Sequence, residues 1–297
     1  MRALTGLARR AVTQELVPAW SSALPGPAPA RPPATTREGA AAVYFPACVN
    51  RIFGNPRELA AGPSLPEALV AVSARAGRPL WIPEDVAGHC CATPWSSKGY
   101  RLGHEQMARR VAAAILRWTR EGELALVVDA SSCSQGLLGG VATQLEEATR
   151  ARFERVRIID SIEWVNDSLL PALSLSRRAA SVALHPPCSA VHLGLQEKLR
   201  AIAHALAEDV TVPAGTTCCG MAGDRGLLHP ELPASAMRAA AEELEGGAFE
   251  ACLCSNRTCE IGLQQATGRP YASFVLLLEE LTRPGADATA AEVQAGQ

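Results

Sequence analysis

Short apolar runs and amphipathic stretches alternate along most of the chain. The apolar runs are AAVYF (41–45), PLWIP (79–83), LALVVDA (124–130), RVRIID (155–160), ASVALHP (180–186) and FEACLC (249–254). Runs of this length, bounded by turn residues, predict buried strands. Between them, apolar residues recur at helical spacing in 105–120, 189–208 and 233–245. Strand, loop, helix, strand is the signature of α/β units around largely parallel sheets. Phe274 to Leu278 reads as a helix core or a strand.

The ends differ from this pattern. Residues 1–20 predict a short helix with Leu4, Leu7, Ala8 and Val12 on one face. LPGPAPARPPATT (24–36) holds five prolines, which a helix or a central strand does not accept, so it reads as a semi-rigid linker. The Ala-, Gly- and Glu-rich end reads as a disordered tail. The expected organisation is a helix and linker over 1–40, one unit over 41–160, a second over 161–283, and a tail over 284–297.

The chain has 297 residues, 48% of them hydrophobic, enough for one large or two modest cores. Its 28 basic and 30 acidic residues leave a formal charge of −2, which argues against a nucleic-acid or anionic-membrane partner. No apolar run approaches the roughly 18–20 residues needed to span a bilayer. MRALTGLARR carries arginines but no apolar core after them, so it is a poor secretory signal. Its lack of acids before Glu15 mimics a transit peptide, but Arg and Ala are plentiful throughout the chain. Ten cysteines is a high count for a chain without an export signal. In a reducing compartment they point to metal ligation or redox chemistry rather than disulfides.

Those cysteines repeat. FPACVNRIFG (45–54) matches HPPCSAVHLG (185–194), with Pro two before the Cys and Gly six after it. Cys90-Cys91 is followed by Lys98-Gly99, and Cys218-Cys219 by Arg225-Gly226. DASSCSQGLL (129–138) matches CSNRTCEIGL (254–263). The two sets are Cys48, Cys90, Cys91, Cys133 and Cys188, Cys218, Cys219, Cys259. They fall just after strands, at the sheet end where open α/β folds bind ligands.

Adjacent cysteines rarely bond to each other, because the small ring strains the geometry a disulfide wants. A tetrahedral zinc more often takes ligands two to four residues apart. A multi-iron cluster is broader, and four cysteines per repeat suit a four-iron, four-sulfur (4Fe-4S) cluster, one or two per chain. Zinc remains the alternative. Gly220, Gly223 and Gly226 would let backbone approach the metal and donate N–H groups to sulfur. Asp224 and Arg225 would orient that loop or tune its charge, or form an ordinary ion pair at a turn. His89 and His185, beside the cysteines, read as ligands, proton carriers or supporting side chains. Ser96, Ser97 and Lys98 read as a plain loop. Cys252 and Cys254 alternate with Leu253 in a strand and read as core. Trp81, Trp95 and Trp164 read as core or half-buried. No Ser-His-Asp set and no paired carboxylates stand out for acid–base work, so no catalytic residue is assigned.

YFPACVNRIFG, CCATPWSSKG, DASSCSQGL, CCGMAGDRGLLHPEL and SNRTCEIGL resemble the cysteine-rich CCG domain family, across 43–282. That family includes the cysteine-rich component of heterodisulfide reductase and the iron–sulfur parts of glycolate, glycerol-3-phosphate and lactate oxidising systems. The likeness is greatest to the C-terminal region of FAD-dependent, iron–sulfur D-lactate dehydrogenases. Two departures stand out: Ala130 and Asn256 replace the first cysteine of each family Cys-x-x-Cys, and Ala92 replaces the Gly of the first Cys-Cys-Gly. Four ligands per site remain.

The resemblance implies an α/β fold of two tandem cysteine-rich repeats and a role in passing electrons from a 2-hydroxy acid, through flavin, toward a quinone or cytochrome. It implies a flavin-containing dehydrogenase domain or subunit and a ferredoxin-like cluster module as partners. No G-x-G-x-x-G follows a strand, so FAD is expected only on a partner or on further sequence. It also implies a cytoplasmic protein, or one peripheral at the inner face of the cell membrane. The other reading of the same residues is a structural zinc-binding adaptor that docks a flavoprotein without a redox role.

Overall fold

The computed structural model describes residues 2–13, 15–215 and 218–284. The expected tail over 284–297 lies, beyond Pro284, outside the described residues.

Two four-stranded parallel sheets follow each other along the chain. The first contains β1 (Ala42–Phe45), β2 (Leu80–Trp81), β3 (Ala125–Val128) and β4 (Ile158–Asp160), in the order β2-β1-β3-β4. The second contains β5 (Ala179–Leu184), β6 (Ala207–Thr211), β7 (Ala251–Cys254) and β8 (Tyr271–Ser273), in the order β6-β5-β7-β8. The orders are the same. All four residues of β1 are buried, as a strand covered on both faces requires. In each sheet the order reverses between the first and third strands. That switch point opens a crevice at the carboxyl ends of β1 and β3, and again at β5 and β7.

The α/β architecture of two tandem cysteine-rich repeats is thus present. All six apolar runs form strands, with Leu80–Trp81 the shortest. Two strands carry weak signals. β6 (AEDVT) is a polar edge strand that follows the helix Gln196–Leu206 without a break. β8 is only three residues. The helical stretch 189–208 divides into Cys188–His192 and Gln196–Leu206, because Gly194 has φ +69°. The stretch 233–245 divides at Met237 into Glu231–Ala236 and Arg238–Glu243. Phe274–Leu281 is a helix whose N-cap Ser273 accepts from the Val275 amide. Near the N-terminus, Arg2–Ala11 is helical, with Leu4, Leu7 and Val12 exposed.

The halves pack by exchanging equivalent elements. Helix Leu65–Arg75, which follows β1, packs on Phe274–Leu281, which follows β8. Helix Gln196–Leu206, which follows β5, packs on 161–169, which follows β4. Ser131–Gln135 meets Cys188–His192, and Arg257–Thr267 meets Cys48–Ile52. Each contact recurs with the halves exchanged, as an approximate two-fold requires. Arg75 bonds Glu279 at 2.5 Å across this interface, and the Trp164 indole N–H donates to Ser73 Oγ at 3.0 Å.

Candidate metal centres

The first cysteine set assembles at the carboxyl ends of β1 and β3. Cys48 begins the helix after β1, Cys133 lies in the helix after β3, and Cys90-Cys91 comes from the loop after β2. Cys48 Sγ lies 3.8 Å from Cys90 Sγ, and Cys91 Sγ 3.0 Å from Cys133 Sγ. In the second half Cys219 Sγ lies 2.9 Å from Cys259 Sγ. Cys218 feels both Cys219 and, at longer range, Cys188, which is exposed. All ten cysteines are free thiols.

Local geometry explains the adjacent cysteines. Ala92, after the first pair, has φ +67°, and Gly220, after the second, has φ +70°. The left-handed residue turns the chain so that both thiols face one site. Gly220 N–H also donates to Cys218 Sγ at 3.4 Å. Three residues beyond Cys133 and Cys259 lie Gly136 and Gly262. A Cβ on Gly136 would stand 1.9 Å from Thr93 Oγ1, and one on Gly262 2.5 Å from Met221 Cγ. Thr93 and Met221 each follow a Cys-Cys pair by two residues, so each glycine lets that loop dock against the helix of the third cysteine. This repeated Cys-x-x-Gly is a signal visible in the sequence that the ligand logic passed over.

The other singled-out residues fall into place individually. Gly223 (φ +74°) lies in the turn after Cys218-Cys219, and exposed Arg225 begins the helix Arg225–Leu228. Asp224 does not pair with its neighbour Arg225. It binds Lys98 at 2.7 Å, tying the loop after one Cys-Cys pair to the loop after the other. Ser96 and Ser97 hydroxyls donate to Thr93 and Pro94 carbonyls within their own turn. His89 Nδ1 meets the Asp85 carbonyl at 2.9 Å, and the ring stands edge-on to Trp118. Trp164 is buried and Trp81 half-buried, whereas Trp95 is exposed. A cleft of about 430 Å³ opens onto Cys48 and Cys90, bounded by Pro29, Asn50 and Met107.

Asp129, unassigned from sequence, is a positioning residue. Its buried carboxylate accepts from Tyr44 Oη at 2.6 Å and from the Ala47 amide at 2.7 Å, clamping the Cys48 turn to the Cys133 strand. Burial raises its pKa despite these bonds. Asn256, which stands where the family places a cysteine, joins the halves instead. It accepts from Ser132 Oγ at 3.3 Å and donates to Ser189 Oγ at 2.9 Å. Ser131 Oγ meets Ser189 Oγ at 2.9 Å in the same buried seam, beside Cys133 and Cys188.

Thiol contacts and burial set the charge state. Contact with Cys90 and burial push Cys48 up; contact with Cys133 and burial push Cys91 up. Contact with Cys48 lowers Cys90, but Cys91 and burial outweigh it and leave Cys90 at about 11. In the second half, contacts from Cys218 and then Cys259 lower Cys219 to about 3, while Cys218 and Cys259 are raised. Cys252 sits in the core, raised to about 11 by burial. Cys254 is buried too, but it also contacts Cys259.

Among the described residues, no three His, Cys, Asp or Glu donors surround a common point. The thiols pair off instead. Zn–S bonds of about 2.3 Å put tetrahedral sulfurs about 3.8 Å apart. The Cys48–Cys90 spacing of 3.8 Å matches that edge, and the pairs at 3.0 and 2.9 Å must widen to share a metal. The donor chemistry fits: soft sulfur from three segments at a ligand-binding sheet end in both halves, with two thiols of each set buried and the others nearer the surface.

Fold and cysteine pattern together define a cysteine-rich module of the metal-binding kind, built from two repeats. A family model described as the CCG cysteine-rich domain matches residues 42–137 and 182–264, and the chain belongs to that family. No curated protein matches it. Among the described residues, no helix is long and apolar enough to cross a membrane.

Proposed function

We propose that the chain is an iron–sulfur electron-transfer module. Cys48, Cys90, Cys91 and Cys133 would hold one cluster, and Cys188, Cys218, Cys219 and Cys259 a second. When bound, each cluster supplies one-electron redox chemistry. The observation that carries this reading is the recurrence of an all-sulfur set at the switch point of both sheets, joined by the Ser131–Ser189 seam. The chain's own residues hold the thiols in place, bury Cys91, Cys133, Cys219 and Cys259, and aim the Gly220 N–H at the sulfur of Cys218.

By its likeness to D-lactate dehydrogenases, the module would accept electrons from a flavin domain or subunit that oxidises a 2-hydroxy acid. It would pass them toward a quinone or cytochrome, alongside a ferredoxin-like module. The cleft at Cys48 and Cys90 gives an acceptor a route to the first centre. The reading is tested by iron and acid-labile sulfide analysis, with EPR, on anaerobically purified protein. About four irons and four sulfides per site support it. Zinc without sulfide overturns it and leaves a structural adaptor.

A further inference from the structure

The two sheets match strand for strand, but their central strands end differently. Phe45, the last residue of β1, is in register with Val128, the last of β3. Superposing Cys48 on Cys188 and Cys133 on Cys259 puts His185 in the place of Phe45 and Cys254 in the place of Val128. The His185 amide donates to the Leu253 carbonyl at 2.9 Å, which extends the β5–β7 register by one residue and sets His185 beside Cys254. An apolar pair in the first half has become an imidazole and a thiol in the second.

The imidazole has no core's reason to be there. Phe45 packs on Trp118 with ring centroids 5.8 Å apart. His185 is 1% exposed, and neither of its ring nitrogens has a hydrogen-bond partner. Buried polar groups are rarely left so, and an orphan of this kind marks a partner that the protein alone does not supply. The ring is close enough to Cys219 to feel its charge. Ala183, Cys252 and Cys254 share one apolar cluster with Cys219 and Cys259, and the period of two in a strand puts His185 on the same face as Ala183. Cys254 is in contact with Cys259. His185 and Cys254 therefore approach the second centre from its buried side, while Cys188 is exposed.

We propose that the second metal centre takes two donors that the first lacks, a ring nitrogen of His185 and the thiolate of Cys254, in place of the exposed Cys188 and Cys218 and alongside Cys219 and Cys259, making it a mixed nitrogen–sulfur centre beside an all-cysteine one. This rests on the reading that the repeat cysteines hold metal. Imidazole and thiolate together suit both zinc and iron.

The test uses the full chain grown on ¹⁵N-histidine, with Cys91→Ser and Cys133→Ser emptying the first half. The protein is loaded anaerobically with iron and sulfide and reduced with dithionite, or separately loaded with cobalt(II), and read by pulsed EPR. The expected result is a coupling of directly bonded strength to ¹⁵N, lost in His185→Phe, the residue the first half uses. In the cobalt form, Cys254→Val should lower the thiolate-to-metal charge-transfer absorbance per bound cobalt. The proposal is overturned by a second half that binds no metal, shown by full metal retention when Cys219→Ser and Cys259→Ser are made in the otherwise unaltered chain. It is also overturned by metal with no directly bonded ¹⁵N, by a coupling that survives His185→Phe, or by cobalt absorbance indifferent to Cys254→Val. The nitrogen coupling is first read without altering the second half, so misfolding of a variant cannot imitate its absence. Cobalt uptake with no iron or sulfide would sink the electron-transfer reading and still decide the role of His185.

Discussion

The Arg257 guanidinium donates to the Glu260 carboxylate at 2.6 Å, with both side chains only 2% exposed. Burial raises the Glu260 pKa even with its partner in place. Arg257 also reaches Asn55 Oδ1, at 3.5 Å, in the first half. The pair flanks Cys259, so it fixes the helix that presents this thiol. Glu260→Gln would leave a buried cation without a counter-charge. A loss of about 3–5 kcal/mol is expected, read from the urea midpoint of the apo protein. An unchanged midpoint would show that water reaches Arg257.

The left-handed turn after each Cys-Cys pair predicts opposite sensitivities. A Cβ on Gly220 would stand 2.7 Å from both the Leu232 carbonyl oxygen and Pro233 Cα, backbone atoms that cannot step aside. Backbone strain and overpacking together should cost Gly220→Ala about 2–4 kcal/mol. Ala92 already bears the strain at φ +67°. Ala92→Gly relieves it but loses a buried methyl and gains unfolded-state entropy. Stability within about 1 kcal/mol of wild type is expected. Equal effects in thermal melts would contradict the close approach at Gly220.

Asp160 carries a pH dependence whose sign can be worked out. Burial raises its carboxyl to about 6, although Ser134 Oγ donates to it at 2.6 Å and the Ile162 amide at 2.9 Å. The folded chain thus binds this proton more tightly than the unfolded chain. Its contribution to stability is full below about pH 4, falls as pH rises through 6, and is level above. The loss is on the order of 3 kcal/mol. Asp160→Asn keeps the acceptor for Ile162 and removes the titration. Urea midpoints from pH 4 to 7 should therefore fall less in the variant, and parallel curves would refute the assignment.

Much of the fold could be read because buried parallel strands announce themselves. AVYF and ALVV are continuous apolar runs, and the doubled cysteine pattern marks the loops after them. β6 was hidden because an edge strand with two exposed acids, Glu208 and Asp209, has no apolar run to show. Of the candidate sites, the eight repeated cysteines were legible because a repeat is visible in one dimension. Asp129 was not, since its work is to accept bonds from Tyr44 and Ala47, more than eighty residues away. Cys254 is buried in the core as its strand pattern predicts, whereas His185 was left open because its neighbours are set by the register between β5 and β7.

The paired thiols divide the metal between the halves. Among the described residues, the Cys91 thiol touches that of Cys133, and the Cys219 thiol that of Cys259, with no thiol contact between the two sets. Cys91→Ser with Cys133→Ser should therefore remove one half's metal and leave the other's intact. Cys219→Ser with Cys259→Ser should do the converse. Metal per chain, measured after anaerobic loading, should fall by about half in each double variant and nearly to zero in the combination. Tertiary structure should persist in the half left loaded, because each half keeps its own sheet and core strands. If either double variant emptied both halves, the centres would form as one unit. The seam of Ser131, Ser189 and Asn256 would then be the part that couples them, and Asn256→Ala should reproduce the joint loss.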